Sequence, residues 1–302
     1  MSPSSTREFR AGEILDRYRL DRLVAQSGMA SIFRATDTRT GAQVAIKFPK
    51  HSATNDRSSV DHLRHETRIT RKLNHPGIVK VIANDGGQDA YLVMEWLDGC
   101  SLRKILGECP ILAPERAIRI SLALCDTLAH VHDCGVAHCD LKPENVIVDS
   151  EDDIKLIDFG IATDLKAKWW KQRRTGAESG SPDYMSPERA QGRRGDIRAD
   201  IYSLGVMLFE MLTGEVPFSG IEPSTALNLR RFVDPPAVTE INPNISKLLE
   251  QAVSRAMARG KVNRHVDIRM LRRDLSEALS EEPVGHAVRT NREPVACDQS
   301  AA

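Results

Sequence analysis

The chain has 302 residues, enough to bury a substantial core and to divide into two lobes. Lysine and arginine total 42 and aspartate and glutamate total 42, so the formal charge is zero, which argues against a dominant nucleic-acid or membrane-surface field. The most apolar stretch, Ile201–Leu212, carries Glu210 and is too short to span a bilayer, and Met1–Arg10 lacks the apolar segment of a signal peptide, so a cytoplasmic protein without nucleic-acid or membrane partners is expected.

Residues 1–14 read as a polar lead-in. From Tyr18 to Pro49 the pattern is strand-like, with a turn at Thr38-Arg39-Thr40-Gly41 and a buried strand at Val44–Phe48. Val60, Leu63, Ile69 and Leu73 recur at helical spacing over Ser58–Leu73, and Asn74-His75-Pro76-Gly77 stops that helix. Strand character returns at Ile78–Ala83 and Ala90–Glu95. After Gly99 the chain turns helical: Pro114–His132 is long and apolar-striped, with proline near its start and Gly135 just past its end. Short strands are expected at Val146–Val148 and Ile154–Ile157. Helices are expected at Ile197–Leu212, Ser224–Arg231, Ser246–Ala258 and Asp267–Leu279. Glu282–Ala302 is polar and aperiodic and reads as a disordered tail.

Four stretches carry charged groups that form a set only when taken together. Lys47 ends a buried strand, where an ammonium is costly unless anions lie beside it. Glu66 lies on the following helix. His138-Cys139-Asp140-Leu141-Lys142-Pro143-Glu144-Asn145 and Asp158-Phe159-Gly160 come next. Singly, each reads as an ordinary solvated side chain or turn residue. In this order they supply what phosphoryl transfer from ATP requires: a cation on the phosphates, an anion to hold that cation, a carboxylate to orient a hydroxyl, and amide and carboxylate oxygens for a metal.

These stretches resemble the eukaryotic-like (Hanks-type) serine/threonine protein kinases, bacterial type, and the resemblance runs from about Tyr18 to about Leu279. It implies an α+β, two-lobed protein kinase fold. A small β-rich N-lobe with one helix would span about 15–97, and a larger, mainly α-helical C-lobe about 98–282. A cytoplasmic signalling enzyme would then transfer the ATP γ-phosphoryl group to serine or threonine hydroxyls of proteins, itself included, with Mg²⁺, or alternatively Mn²⁺. By the same resemblance Asp140 would orient the attacking hydroxyl and Lys142 would reach the γ-phosphate. Asn145 and Asp158 would hold the metal, and Lys47 paired with Glu66 would hold the phosphates. Val24, Ile32, Ala45 and Ile147 match the apolar positions around an adenine ring, Met94 the residue behind it, and Glu95 and Leu97 the hinge. Ser186-Pro187-Glu188 resembles the family's Ala-Pro-Glu. Glu188 would pair with Arg264, and Asp200 would hydrogen-bond the catalytic-loop backbone.

Two departures stand out. The three glycine positions of the nucleotide-covering loop read Ala25, Ser27 and Ala30, while Gly28 falls elsewhere in the loop. Weak ATP binding, or a nucleotide-binding pseudokinase acting as a scaffold, is therefore the alternative reading, with a small-molecule kinase as a third. Cys139 stands where the family often has the arginine that pairs with a phosphorylated activation loop. Activity without obligatory loop phosphorylation follows as an expectation. An inert role for Cys139 is preferred to a redox one, and the six cysteines, which form no Cys-x-x-Cys pair, are expected to be reduced. In the activation segment Thr175, Ser179 and Ser181 are candidate phosphosites. The basic run Lys166–Arg174 reads as a solvated loop, with docking or self-association through Trp169 and Trp170 as the second reading.

Overall fold

Alternation of apolar and polar side chains carries the first part of the chain into a sheet. Residues 9–27, 30–49, 56–83, 91–167 and 182–281 are described by the structure, a computed structural model. Among them, one compact unit takes the residues up to Asn74 together with Val79–Asp98, and a second takes His75–Ile78 and the residues from Gly99 onward.

In the first unit β1 (Ile14–Leu15), β2 (Tyr18–Gln26), β3 (Ala30–Asp37), β4 (Gln43–Pro49), β5 (Val81–Ala83) and β6 (Leu92–Glu95) form one antiparallel sheet in the order β1-β2-β3-β4-β6-β5. Val44, Ile46 and Phe48, every second residue of β4, are buried and pack with Leu20, Phe33, Tyr91 and Val93. Phe9 stacks on Phe48 with ring centroids 4.0 Å apart. The same alternation puts Ala45 and Lys47 on the other face, with Met94 across from Ala45 and Ile32 across from Lys47.

The one helix among the described residues of this unit, α1 (Asp56–Thr70), buries Leu63, Glu66 and Ile69. It starts before and stops short of the expected 58–73. Lys72 and Leu73 donate their N–H groups three residues back, to Ile69 and Thr70, which tightens and ends the helix. The strand expected from Ile78 is also shorter. Ile78 is drawn into a parallel bridge with Leu156 of the second unit, to which it belongs.

The second unit is mainly helical. It contains β7 (Cys100–Ser101), α2 (Leu102–Glu108), α3 (Pro114–Asp133), β8 (Val136–Ala137), β9 (Val146–Val148), β10 (Ile154–Leu156) and β11 (Thr163–Asp164). There follow α4 (Pro187–Ala190), α5 (Ile197–Thr213), α6 (Pro223–Leu229), α7 (Val238–Ile241), α8 (Lys247–Ala256) and α9 (Ile268–Glu281). Every residue of α5 from Ala199 to Thr213 is buried, the signature of a helix surrounded by other elements. Asp196 caps its start by accepting from the Arg198 N–H, and Gly214, at φ +82°, ends it in the left-handed conformation that suits glycine. Two small sheets, β7-β9-β10 and β8-β11, lie beside the helices. They clamp two loops at both ends: 138–145 between β8 and β9, and 157–162 between β10 and β11.

A β-rich unit with, among the described residues, one helix, followed by a helix-rich unit, is the α+β kinase arrangement that the motifs imply. Helix α2, capped by the Ser101 hydroxyl, and the four-residue α7 were not distinguished by periodicity. Among the described residues Cys109, Cys125, Cys134 and Cys139 are free thiols, as expected for reduced cysteines. Among the described residues no helix is long and apolar enough to cross a membrane.

Candidate active site

In the first unit, β4 and α1 bring Lys47 and Glu66 together. Lys47 Nζ donates to Glu66 Oε2 at 2.7 Å, with the two side chains 12% and 5% exposed. So little exposure means that the ammonium depends on fixed anions rather than on water. Ile32 pairs with Lys47 from β3, Ala45 lies two residues before it on β4 and pairs with Met94 of β6, and Val24 is half-buried in β2 next to a register shift at Leu23–Ala25. Ser27 and Ala30, two of the three positions where the family pattern has glycine, bond to each other. Ser27 N–H donates to the Ala30 carbonyl at 2.8 Å, and Ala30 N–H donates back to Ser27 Oγ at 3.1 Å. A hydroxyl here ties the strand ends together. Glu95 N–H is committed to the Lys80 carbonyl at 3.0 Å, while its carboxylate accepts the Lys80 N–H at 2.9 Å. Leu97 is partly exposed just beyond β6.

In the second unit the loop after β8 gathers Asp140, Lys142 and Asn145. Lys142 Nζ lies 3.0 Å from Asp140 Oδ2. Asn145 Nδ2 donates to the Asp140 carbonyl at 2.8 Å and to its Oδ2 at 3.2 Å. Because the amide nitrogen faces Asp140, the amide oxygen is the Asn145 atom that can meet a cation. His138 supports the same loop. Its Nδ1 accepts the Asp140 N–H at 3.2 Å, which leaves Nε2 as the donor to the Ile157 carbonyl at 3.3 Å. The ring also packs edge-on against Phe159, which is fully buried.

Asp158 sits at φ +64° and accepts the Gly160 N–H at 3.1 Å. Cys139, at φ +65°, is the other non-glycine residue of these two loops in the left-handed region. Such a conformation costs about 1–2 kcal/mol per residue and persists only where surrounding bonds impose it. Ile147, two residues after Asn145, is partly exposed on β9. Among the described residues no group of three His, Cys, Asp or Glu could hold a metal alone.

Asp200, fully buried on α5, fixes this loop from behind. Its Oδ1 accepts the Cys139 N–H at 2.7 Å, and its Oδ2 accepts the His138 N–H at 2.8 Å and lies 2.8 Å from His132 Nε2. Burial alone would raise the carboxyl, but the hydrogen bonds from His132 and the backbone hold it below the usual aspartate range. Glu188 of α4 meets Arg264 bidentately, at 2.8 and 2.9 Å. Here too burial is outweighed, by the guanidinium, and the carboxyl lies below its ordinary value. Burial pushes the Cys139 thiol up to about 12, so it is not a reactive thiolate at neutral pH and the redox reading loses its support.

Sequence reasoning missed one charged network next to the catalytic loop. Arg103 of α2 donates to Glu144 at 2.8 Å and to Glu210 at 2.7 Å, and also to the Tyr184 hydroxyl, which itself donates to Glu210 at 2.6 Å. With Asp183 and Glu215 these residues line a cavity of about 520 Å³. The members lie 41 to 107 positions from Arg103, so no local pattern announces them. Gly28, Trp169, Trp170, Thr175, Ser179 and Ser181 lie outside the described residues.

The protein kinase domain family matches residues 18–261. A probable serine/threonine-protein kinase PknB of Lactococcus lactis is 34% identical over 270 residues, which is 88% of this chain and 42% of that protein. A probable PknB of Corynebacterium glutamicum is 32% identical, covering 93% of this chain and 45% of that protein. The serine/threonine-protein kinase PknB of Mycobacterium tuberculosis is 34% identical, covering 89% and 44%. The chain thus spans less than half the length of these curated relatives. With the charged set carried by the two units, these matches mean that the chain belongs to the protein kinase family and, within it, to the Hanks-type serine/threonine kinases of bacteria.

Proposed function

We propose that the chain transfers the γ-phosphoryl group of ATP to serine and threonine hydroxyls of proteins, including its own. The observation that carries this reading is the Asp140 carboxylate, held between the Lys142 ammonium at 3.0 Å and the Asn145 amide at 3.2 Å. Asp140 receives the proton of the attacking hydroxyl as its oxygen bonds to the γ-phosphorus and the bond to the β-phosphate oxygen breaks, releasing ADP. Lys142 offsets charge on the moving phosphoryl group. Lys47, steadied by Glu66, binds the ATP phosphates, and Ile32, Ala45, Met94 and Ile147 contact the adenine, with Glu95 and Leu97 along its edge. Positioning and charge stabilisation are most of what this reaction demands of a protein. Asn145 and Asp158 would hold Mg²⁺, or Mn²⁺ in its place, which neutralises phosphate charge when bound.

Protein substrates are supported by the match to the protein kinase family, and the carboxylates Glu144, Asp183, Glu210 and Glu215 lining the cavity beside the catalytic loop suit a basic side chain of a substrate. A cytoplasmic signalling role is part of the proposal, since ATP is the donor. The test is phosphoamino-acid analysis of the chain and of a generic basic protein after incubation with labelled ATP and Mg²⁺. Recovered phosphoserine or phosphothreonine supports the reading; ATP binding by folded protein without transfer would support a scaffold instead.

A further inference from the structure

We infer that Arg189 is a positioning residue for Asp140: from α4 it holds the peptide bond that joins Cys139 to Asp140. Arg189 is 7% exposed, and its guanidinium donates to the Cys139 carbonyl. The other end of that same peptide, the Asp140 N–H, donates to His138 Nδ1 at 3.2 Å. Both polar groups of the plane immediately before the Asp140 side chain are therefore fixed, one of them by a residue 50 positions further along the chain. The plane needs such restraint because Cys139 occupies the left-handed region, φ +65°, which a non-glycine residue leaves unless held. Asp200 grips the N–H side of Cys139, and Arg189 grips its carbonyl side.

The arginine is itself presented rigidly. Its neighbour Glu188 is locked to Arg264 through two hydrogen bonds of 2.8 and 2.9 Å, which anchors α4. Its aliphatic stem lies in a slot that Gly195 leaves open. A Cβ added at Gly195 would lie 2.8 Å from Cys139 Sγ and 3.0 Å from Arg189 Cδ. The Cys139 thiol stays uncharged and next to Thr163 Oγ1, at 3.5 Å, so it does not draw the guanidinium away from the carbonyl. A hydrogen-bonded strut supplied by the chain's own arginine thus joins α4 to the catalytic loop, with no phosphate needed to complete it. The inference rests on Asp140 acting as proposed above.

The test compares Arg189→Met, which keeps the stem and removes the donors, with Arg189→Lys, which restores one donor, and with Gly195→Ala, alone and combined with Arg189→Met. Steady-state transfer and urea unfolding are measured on the full chain. Arg189→Met is expected to lower kcat by about tenfold or more with KM for ATP within about twofold, because small displacements of a reacting group are costly. Arg189→Lys recovers part of the loss. Gly195→Ala lowers kcat in the parent but adds little to Arg189→Met, because both act on one contact. An Arg189→Met protein with parental kcat would overturn the inference. So would a loss that only follows the fraction folded and is not rescued by lysine, or Gly195→Ala and Arg189→Met effects that multiply. If Arg189→Met does not fold, Arg189→Lys and Gly195→Ala decide, with parental kcat in both sinking the idea. Asp140→Asn, run alongside, separates the two claims: activity there removes the role of Asp140, whereas inactivity there with a fully active Arg189→Met removes only the strut.

Discussion

Replacing Asp200 by asparagine tests how the catalytic loop is held. Three donors converge on the two carboxylate oxygens: the Cys139 N–H at 2.7 Å on Oδ1, and the His138 N–H and His132 Nε2, each at 2.8 Å, on Oδ2. Asparagine offers one acceptor and one NH₂ group. The cheaper orientation keeps the oxygen facing His138 and His132 and turns the NH₂ towards the Cys139 N–H, donor against donor. One hydrogen bond to a charged group is lost, worth about 1.5–3 kcal/mol, and a buried N–H is left unsatisfied at about 1–3 kcal/mol. Because the two figures overlap, a net loss of about 3 kcal/mol is expected, a large part of the roughly 5–15 kcal/mol by which domains are stable. The N–H released belongs to the residue before Asp140, so kcat is expected to fall by at least about tenfold as well.

The pH dependence provides a second arm. The folded Asp200 carboxyl lies below its unfolded value of about 3.9. Its contribution is therefore fully present above that value and is lost as pH falls through the folded one. The stability gap between parent and Asp200→Asn should be constant near neutrality and narrow below about pH 4. Urea unfolding across pH, with transfer assays at saturating ATP, measures both effects. A variant within about 0.5 kcal/mol and about twofold in kcat of the parent would refute the reasoning, since that is the range of an unimportant surface change.

Other expectations follow from the same kind of accounting. Arg264→Met strands the Glu188 carboxylate and frees the carbonyls of Arg198, Ala258 and Arg259, which the guanidinium now serves. A loss of about 3–5 kcal/mol in chemical denaturation is expected, and less than about 1 kcal/mol would contradict a buried structural pair. Lys47→Met should abolish most transfer while the chain still unfolds cooperatively, and unchanged turnover would remove Lys47 from phosphate binding. A thiol-alkylating reagent at neutral pH should leave activity intact through Cys139, buried and pushed up to about 12; peptide mapping that finds Cys139 alkylated in native, inactivated protein would show that reasoning to be mistaken.

The parts of this protein that were legible in its sequence are those whose members are close in sequence or fixed by a repeating pattern. Asp140, Lys142 and Asn145 fall within six residues and meet within one loop. The alternation in Val44–Phe48 put Lys47 on the face opposite the core. Glu66 followed only through likeness to a family, since nothing local says that α1 turns it towards β4. What stayed hidden was long-range or short-lived along the chain. Nothing local singles out Arg189, whose partner is a backbone carbonyl 50 residues earlier. Arg103 gathers partners from three separate elements. Helix α2 is seven residues with Gly107 inside it, too short for periodicity to speak.

The measurement that bears most directly on the central claim is transfer of labelled phosphate from ATP, in the presence of Mg²⁺, by the parent chain and by Asp140→Asn at equal folded concentration and with ATP binding measured for both. We predict incorporation into serine and threonine by the parent and loss of almost all of it in Asp140→Asn, with nucleotide binding retained. Equal incorporation by the two proteins, or none by a folded, ATP-binding parent, would contradict the account.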